Sequence, residues 1–271
     1  MISTIAAYPG GKHTLAPLLV RFMPNLSRNI SGFGGMANEI LAMPQRKIRI
    51  YNDKDKDLCI LLSCFAKEET RVKLFHEILK YEYCKENFME LKAKTSSGYY
   101  GQVEIWVYAA WVWYTLLVSR DGGREAYSKD KDMEMGKNFQ HRIMGKKWDL
   151  MRLEGIGVWN KDIYDLIEEG IENPDGNQTF YFLDSPYYGN KASYKYNMVS
   201  DFDHNLYCKS LVKLKGAIMV CGYDNNNLYD EILVKKHGFK KIKLGLYAVT
   251  MGYHQRGEKC KLETECIWIN Y

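Results

Sequence analysis

The segment TFYFLDSPYYGN, residues 179–190, sets the apolar run Tyr181-Phe182-Leu183 directly against Asp184, Ser185, Pro186 and Tyr187. The run reads as a buried strand that the Pro and Gly bring to an end. A carboxylate at the carboxyl end of a central strand lies where open α/β sheets place their ligands. Ser185 precedes a proline and is therefore pushed out of the helical region, which leaves its carbonyl extended beside Asp184. Two acceptors next to the Tyr187 ring can hold a planar amino group and stack the ring that carries it. An exocyclic amine needs that setting to become a nucleophile. A strand end with a polar cap and two packing tyrosines is the structural alternative. The rest of the chain has to decide.

A second constellation lies upstream. Gly32-Phe33-Gly34-Gly35 follows a brief predicted strand around Leu26 to Ile30 and opens a helix, so the backbone can approach a ligand closely. Asp53 ends the next predicted strand about twenty residues on, where an acid meets ribose hydroxyls in a Rossmann-like unit. Glycine turn and acid together point to an adenosine-containing cofactor. The YPGGKHT stretch invites a phosphate-loop reading, but Ala6 and His13 occupy the places that need Gly and Ser or Thr. Its functional reading is a Gly-Gly turn that presents Tyr8 and Lys12 toward a cofactor.

The elements that must position these residues alternate. Helix is predicted over 14–23, strand over 26–30, then the glycine turn, and strand again over 47–52, which is strand, turn, helix, strand. Residues 58–90 are helical in pattern, and VEIWVYAAWVWYTLLVSR is an apolar, aromatic helix. Residues 121–148 read as a loop rich in both charge signs. Beyond them come a helix near 146–153, IGVWNKDIYDLIEEG, the strand ending at Asp184, a helix over 202–214, the strand in GAIMVCGY, a helix over 228–237 and the closing strand TECIWINY. Alternation on both flanks predicts an α/β fold with a mostly parallel sheet and helices on both faces. Residues 1–64 and 151–271 are the expected cofactor-binding domain, with 65–150 inserted as a mainly helical module.

Composition bounds the function classes. At 271 residues, with 46% hydrophobic and 26% charged, the chain is of the soluble globular kind. No apolar run reaches the roughly 20 residues that cross a bilayer, and the start lacks a basic-then-apolar signal pattern. A cytoplasmic location is expected, without membrane association. Seven cysteines, without CxxC spacing around Cys59, Cys64, Cys208 and Cys221, argue for reduced, buried thiols rather than a disulfide framework or zinc site. His13, His141 and His204 show no metal-ligand spacing and read as structural or surface, so no metal is expected. The net charge of +5 permits a polyanionic partner. Arg120, Arg124, Arg142, Lys146 and Lys147 are candidate phosphate contacts, although interleaved acids also fit a solvated surface.

In order along the chain, YPGGK, FGG, YNDKDKDL, DSPYYG and TECIWINY resemble the Dam-type DNA N6-adenine methyltransferases, many of them encoded by bacteria or phages. The resemblance spans both ends of the chain and leaves the middle, where that family carries its target-recognition module, unmatched. It implies a Rossmann-like methyltransferase sheet, S-adenosylmethionine as methyl donor and double-stranded DNA as substrate, with a monomer expected in solution. Tyr8, Lys12, Phe33, Gly34, Gly35, Asp53 and Asp184 fall on cofactor-pocket positions, and Asp162-Ile163 on a flank for the cofactor adenine. Asp184 to Tyr187 falls on the catalytic Asp-Pro-Pro-Tyr. Three departures stand out. Ser185 replaces the first proline, Ser31-Gly32 stands where Glu-Pro is more usual, and Ala37 stands where a further glycine often lies. The competing expectations are N6 or amide methylation of RNA or protein, and a catalytically silent DNA-binding homologue.

Overall fold

The computed structural model describes residues 4–8, 10–44, 48–119, 124–128, 138–187, 202–225, 227–248 and 262–271. The β-rich stretches become β1 (Arg28–Ser31), β2 (Ile48–Asn52), β3 (Gly157–Trp159), β4 (Thr179–Leu183), β5 (Ala217–Tyr223), β6 (Lys240–Ala248) and β7 (Leu262–Ile269). They form one seven-stranded sheet in the order β3-β2-β1-β4-β5-β7-β6. β1 runs parallel to β2 and β4, and β4 runs parallel to β5. β7 is antiparallel to both β5 and β6. A parallel α/β sheet with a reversed strand slotted in beside β5 is a Rossmann-like methyltransferase fold, as the sequence implied.

Two compact units divide the chain. One comprises Arg21–Gly34, Arg46–Lys54 and Trp159–Tyr271 and carries six of the seven strands. All five residues of β4 are buried, as a central parallel strand requires. Alternate residues of neighbouring strands (Ile30, Ile50, Tyr181, Leu183, Ile218 and Val220) share one core with Ile163, Leu166 and Ile167 of the helix Ile163–Glu172. Tyr207 and Leu211 of the helix His204–Leu211 join the same core, as do Ile232 and Leu233 of the π-helical turn Asp230–Lys236. Each such side chain contributes on the order of 1.5–3 kcal/mol when withdrawn from water. The parallel register pairs Ile30 with both Ile50 and Tyr181, so the carboxyl ends of β1, β2 and β4 finish side by side.

The other unit holds residues 1–20, 35–45 and 55–158. The segment 65–150 thus shares a unit with parts of the N-terminal region. Its centre is the helix Ile105–Val118, buried on nearly every side as its uniformly apolar sequence demands. Trp113 packs edge-on against Phe65 and Phe75 at 5.0 and 5.3 Å, and its indole N–H donates to the Ile5 carbonyl at 3.1 Å. Three helices, Lys56–Phe65, Glu68–Ile78 and Lys85–Ser96, replace the single helical stretch expected over 58–90. The region expected as loop over 121–148 holds the short helix Phe139–Gly145, and the helix expected near 146–153 is present as Lys147–Leu150. β6 went unforeseen because lysines interrupt its apolar alternation. Those lysines are what an edge strand needs to discourage further pairing.

Among the described residues, no helix is long and apolar enough to cross a membrane, and no His, Cys, Asp or Glu group could hold a metal ion. Burial pushes the thiols of Cys64, Cys208 and Cys266 up to about 12, where they are poor nucleophiles.

Candidate active site

The glycine turn after β1 is stitched to both neighbouring strands. The Gly32 amide donates to the Phe182 carbonyl at 2.9 Å, and the Gly34 amide to the Asn52 carbonyl at 2.8 Å. A Cβ on Gly32 would lie 2.6 Å from the Leu183 side chain, and one on Gly34 only 2.1 Å from the Tyr51 ring. Packing alone therefore demands glycine at both positions. Phe33, between them, is half-buried and sits edge-on to Phe202 at 5.9 Å and Tyr207 at 6.0 Å.

Asn52, fully buried, is the linchpin that sequence reading missed. Its side-chain amide donates to the Gly32 carbonyl at 3.0 Å and to the Lys161 carbonyl at 3.2 Å, and its oxygen accepts from the Lys161 amide at 3.0 Å. One side chain thus fixes the β1 turn, the end of β2 and the approach to the helix Ile163–Glu172. A buried Asn directly before the site acid was the available signal. Asp53 follows it, half-buried, with its amide donating to the Trp159 carbonyl at 3.3 Å.

Asp162 caps that helix. It accepts from the Tyr164 amide at 3.1 Å and from the Lys54 ammonium at 2.8 Å. Burial pushes its carboxyl upward, but those donors outweigh burial and hold it below the usual carboxylate range. In this arrangement the Asp162 side chain builds the site wall. Ile163 is 3% exposed and packs where a Gly32 Cβ would intrude.

At the end of β4, Asp184 is half-buried while Ser185, Pro186 and Tyr187 are buried. The Ser185 hydroxyl lies 3.1 Å from the Tyr229 hydroxyl, which lies 2.9 Å from Nδ1 of His204. The Tyr187 hydroxyl donates to Glu265 at 2.8 Å, and its ring meets Tyr223 edge-on at 4.5 Å. Burial first, then the nearby Asp184 and Glu265 carboxylates, push the Tyr187 phenol well above its ordinary value. It stays neutral and anchored. Asp184, Asp53, Phe33 and Gly34 thus lie at the carboxyl ends of β4, β2 and β1. β1 and β4 are the adjacent strands from which the order runs outward in both directions. Open α/β sheets bind ligands at such a switch point.

The remaining expected residues belong to the other unit. Lys12, 8% exposed, donates to the Gly10 carbonyl at 3.2 Å. Gly35 has a φ of +47°, and a Cβ there would sit 3.4 Å from the Tyr8 ring. Ala37 also adopts the left-handed region, at φ +51°. Arg124 is engaged away from solvent. Its guanidinium pairs with Asp57 at 2.6 Å, Tyr108 donates to the same carboxylate at 2.8 Å, and the arginine side chain is 11% exposed. As a phosphate contact it is displaced by this buried ion pair. Lys146 is also diverted: it donates to the Thr4 carbonyl, and burial, then Arg142, lower its pKa to about 8. Arg142 and Lys147 are exposed, and Arg120 lies outside the described residues. Beside them Trp148 is 75% exposed, with Met144 and Met151 also at the surface. That tryptophan is not legible in the sequence, because a lone aromatic among charges carries no periodic signal.

No protein-family model and no curated protein matches the chain. Among solved structures it is similar to SMU.776, described as a candidate methyltransferase and crystallised with SAH, at 10% identity and a TM-score of 0.39. That match takes in 95% of this chain and 49% of the other, so this chain spans about half its length. A conserved hypothetical protein of Streptococcus pyogenes matches at 8% identity and a TM-score of 0.35, over 95% of this chain and 96% of that one.

Proposed function

We propose that this protein transfers the methyl group of S-adenosylmethionine to N6 of an adenine turned out of duplex DNA. The observation that carries the reading is the placement of Asp184-Ser185-Pro186-Tyr187. The tetrad leaves β4 beside the glycine turn of β1 and the Asp53 end of β2. The resemblance of the motifs supports the same reading independently of geometry.

The donor set suits the cofactor. Asp53, half-buried, offers a carboxylate to ribose hydroxyls, while Phe33, also half-buried, offers an apolar face to an adenine, with the buried Ile163 behind the site wall. When bound, the sulfonium supplies an electrophilic methyl group. The chain's own part is to prepare the amine. The N6 lone pair is delocalised into the adenine ring, so the nitrogen is a poor nucleophile. Acceptance of its two N–H bonds by the Asp184 carboxylate and the Ser185 carbonyl draws it toward tetrahedral geometry and localises that lone pair. Orientation and polarisation then do the catalytic work. The nitrogen takes the methyl as the methyl–sulfur bond breaks, with a neutral thioether as leaving group, and its surplus proton passes by way of the Asp184 carboxylate to solvent. No covalent enzyme intermediate is involved. Removing the base from the duplex costs a few kcal/mol, which aromatic stacking offsets in part.

Arg142 and Lys147 supply phosphate contacts in this reading, and Trp148 adds a stacking surface among them. The deciding test offers tritiated S-adenosylmethionine with duplex DNA, RNA and protein in parallel. Label in DNA as N6-methyladenine supports the proposal; label confined to RNA or protein replaces its substrate.

A further inference from the structure

Ser185 stands where the resemblance leads one to expect a proline. A proline would lock φ near −65° and so fix the carbonyl that follows it. Serine lacks that lock, and Pro186 after it only keeps the residue out of the helical region. The structure gives the serine side chain a buried partner. Its hydroxyl, in a residue 2% exposed, lies 3.1 Å from the hydroxyl of Tyr229, and Tyr229 lies 2.9 Å from Nδ1 of His204. Tyr229 is itself clamped: it is 1% exposed and meets the Trp268 ring edge-on at 5.4 Å.

We propose that the chain Ser185 to Tyr229 to His204 is a hydrogen-bonded latch that replaces the missing ring and positions the Ser185 carbonyl, making Tyr229 and His204 positioning residues for the amine. The inference rests on the methyltransferase reading of Asp184 and Ser185. The contacts fix the atoms and not the proton order: Ser185 O–H can donate to Tyr229 and Tyr229 O–H to Nδ1 of His204, or the run can be reversed with the proton on Nδ1. The run with Nδ1 as acceptor requires a neutral imidazole, which burial, only partly opposed by Asp203, favours by lowering the His204 pKa to about 4. Tyr229, held at high pKa by burial, keeps the proton it donates. Two buried hydrogen bonds in series fix the geometry of Ser185 more narrowly than one contact alone.

The test is a double-mutant cycle on the full-length chain. Tyr229→Phe removes the middle hydroxyl and keeps the ring. In the Ser185 background it should lower kcat about tenfold, the scale of a slight misplacement, with KM for cofactor and DNA altered less than twofold. In the Ser185→Pro background the same change should leave kcat within twofold of the Ser185→Pro parent, because the ring now fixes the backbone. Ser185→Ala is the second background, should Ser185→Pro fail to fold, and there too Tyr229→Phe should add nothing. Equal losses in all backgrounds, or no loss with Ser185 present, would overturn the latch. Thermal unfolding of the same variants reads the interaction without catalysis. Non-additive Tm losses for Ser185→Ala and Tyr229→Phe support it, and additive losses overturn it. A wild type that methylates nothing while the Tm cycle is coupled would sink the methyltransferase reading and leave the hydrogen-bonded chain standing.

Discussion

Asp53 carries the first test at the residue scale. Its carboxylate is the acid at the end of β2, and Asp53→Ala should weaken S-adenosylmethionine binding at least tenfold while DNA affinity changes little, because the ribose hydroxyls are left without a charged acceptor. Calorimetric titration with each ligand separates the two effects, and unchanged cofactor affinity would reduce Asp53 to the end of a strand. Ala37 tests strain. It sits fully buried at φ +51°, a region that costs a residue with a Cβ about 1–2 kcal/mol. Ala37→Gly forfeits about 0.8 kcal/mol of methyl burial, so a net gain of up to about 1 kcal/mol is expected in urea unfolding. A clear loss would mean that the methyl packing outweighs the strain. His204 tests pH. Its pKa is about 4 in the folded chain against 6.5 as the ordinary value, so as pH falls the unfolded state takes up its proton first. Stability from this group is therefore full above pH 6.5 and declines down to about 4, by about 3 kcal/mol in all. His204→Gln should flatten that part of the stability profile. The tetrad, the glycines and Asp53 were legible in the sequence because each sits at a strand end that hydrophobic patterning marks. Asn52, Glu265 and Tyr229 were not, because their partners lie 20 to 109 residues away, where no local pattern reaches.

At the scale of elements, strand placement was the most legible feature, since β4 and β5 are apolar runs, β2 and β7 carry apolar stretches, and β1, though mostly polar, runs straight into the glycine turn. β6 escaped because its lysines serve the sheet edge rather than the core. The charged stretch 121–148 misled more seriously. Its cations looked equivalent in sequence, yet Arg124 is spent on Asp57 and Lys146 on a backbone carbonyl, while Arg142 and Lys147 face solvent. Burial distinguishes them, and burial in an irregular segment is set by tertiary packing. The two groups therefore predict different experiments. Neutralising Arg142 and Lys147 should weaken binding to all DNA sequences and reduce the salt slope by about one for each phosphate no longer neutralised. Trp148→Ala should weaken binding about tenfold at every salt concentration and leave the slope unchanged, because a stacked ring releases no counterions. Fluorescence anisotropy of a labelled duplex across a salt series checks both, and unaltered affinity in both variants would move the DNA-binding face elsewhere. Arg124→Ala should instead lower stability, since it leaves a buried carboxylate short of its charge partner.

At the scale of the whole molecule, the parallel sheet with its reversed strand β7 gathers the acceptors of β4, the acid of β2 and the turn of β1 along one edge. In the proposed function that edge offers acceptors to an amine, an acid to a ribose and an apolar face to a purine. A fold alone does not dictate a substrate, which is why the reading must stand on the tetrad. The most direct measurement is the transfer of tritium from labelled S-adenosylmethionine to duplex DNA, with nucleoside analysis of the product, for the wild type and for Asp184→Ala. N6-methyladenine is expected from the wild type, with a loss of a hundredfold or more in the variant and its circular dichroism and Tm preserved. Undiminished transfer by a folded Asp184→Ala protein, or label in DNA at any base atom other than adenine N6, would contradict it.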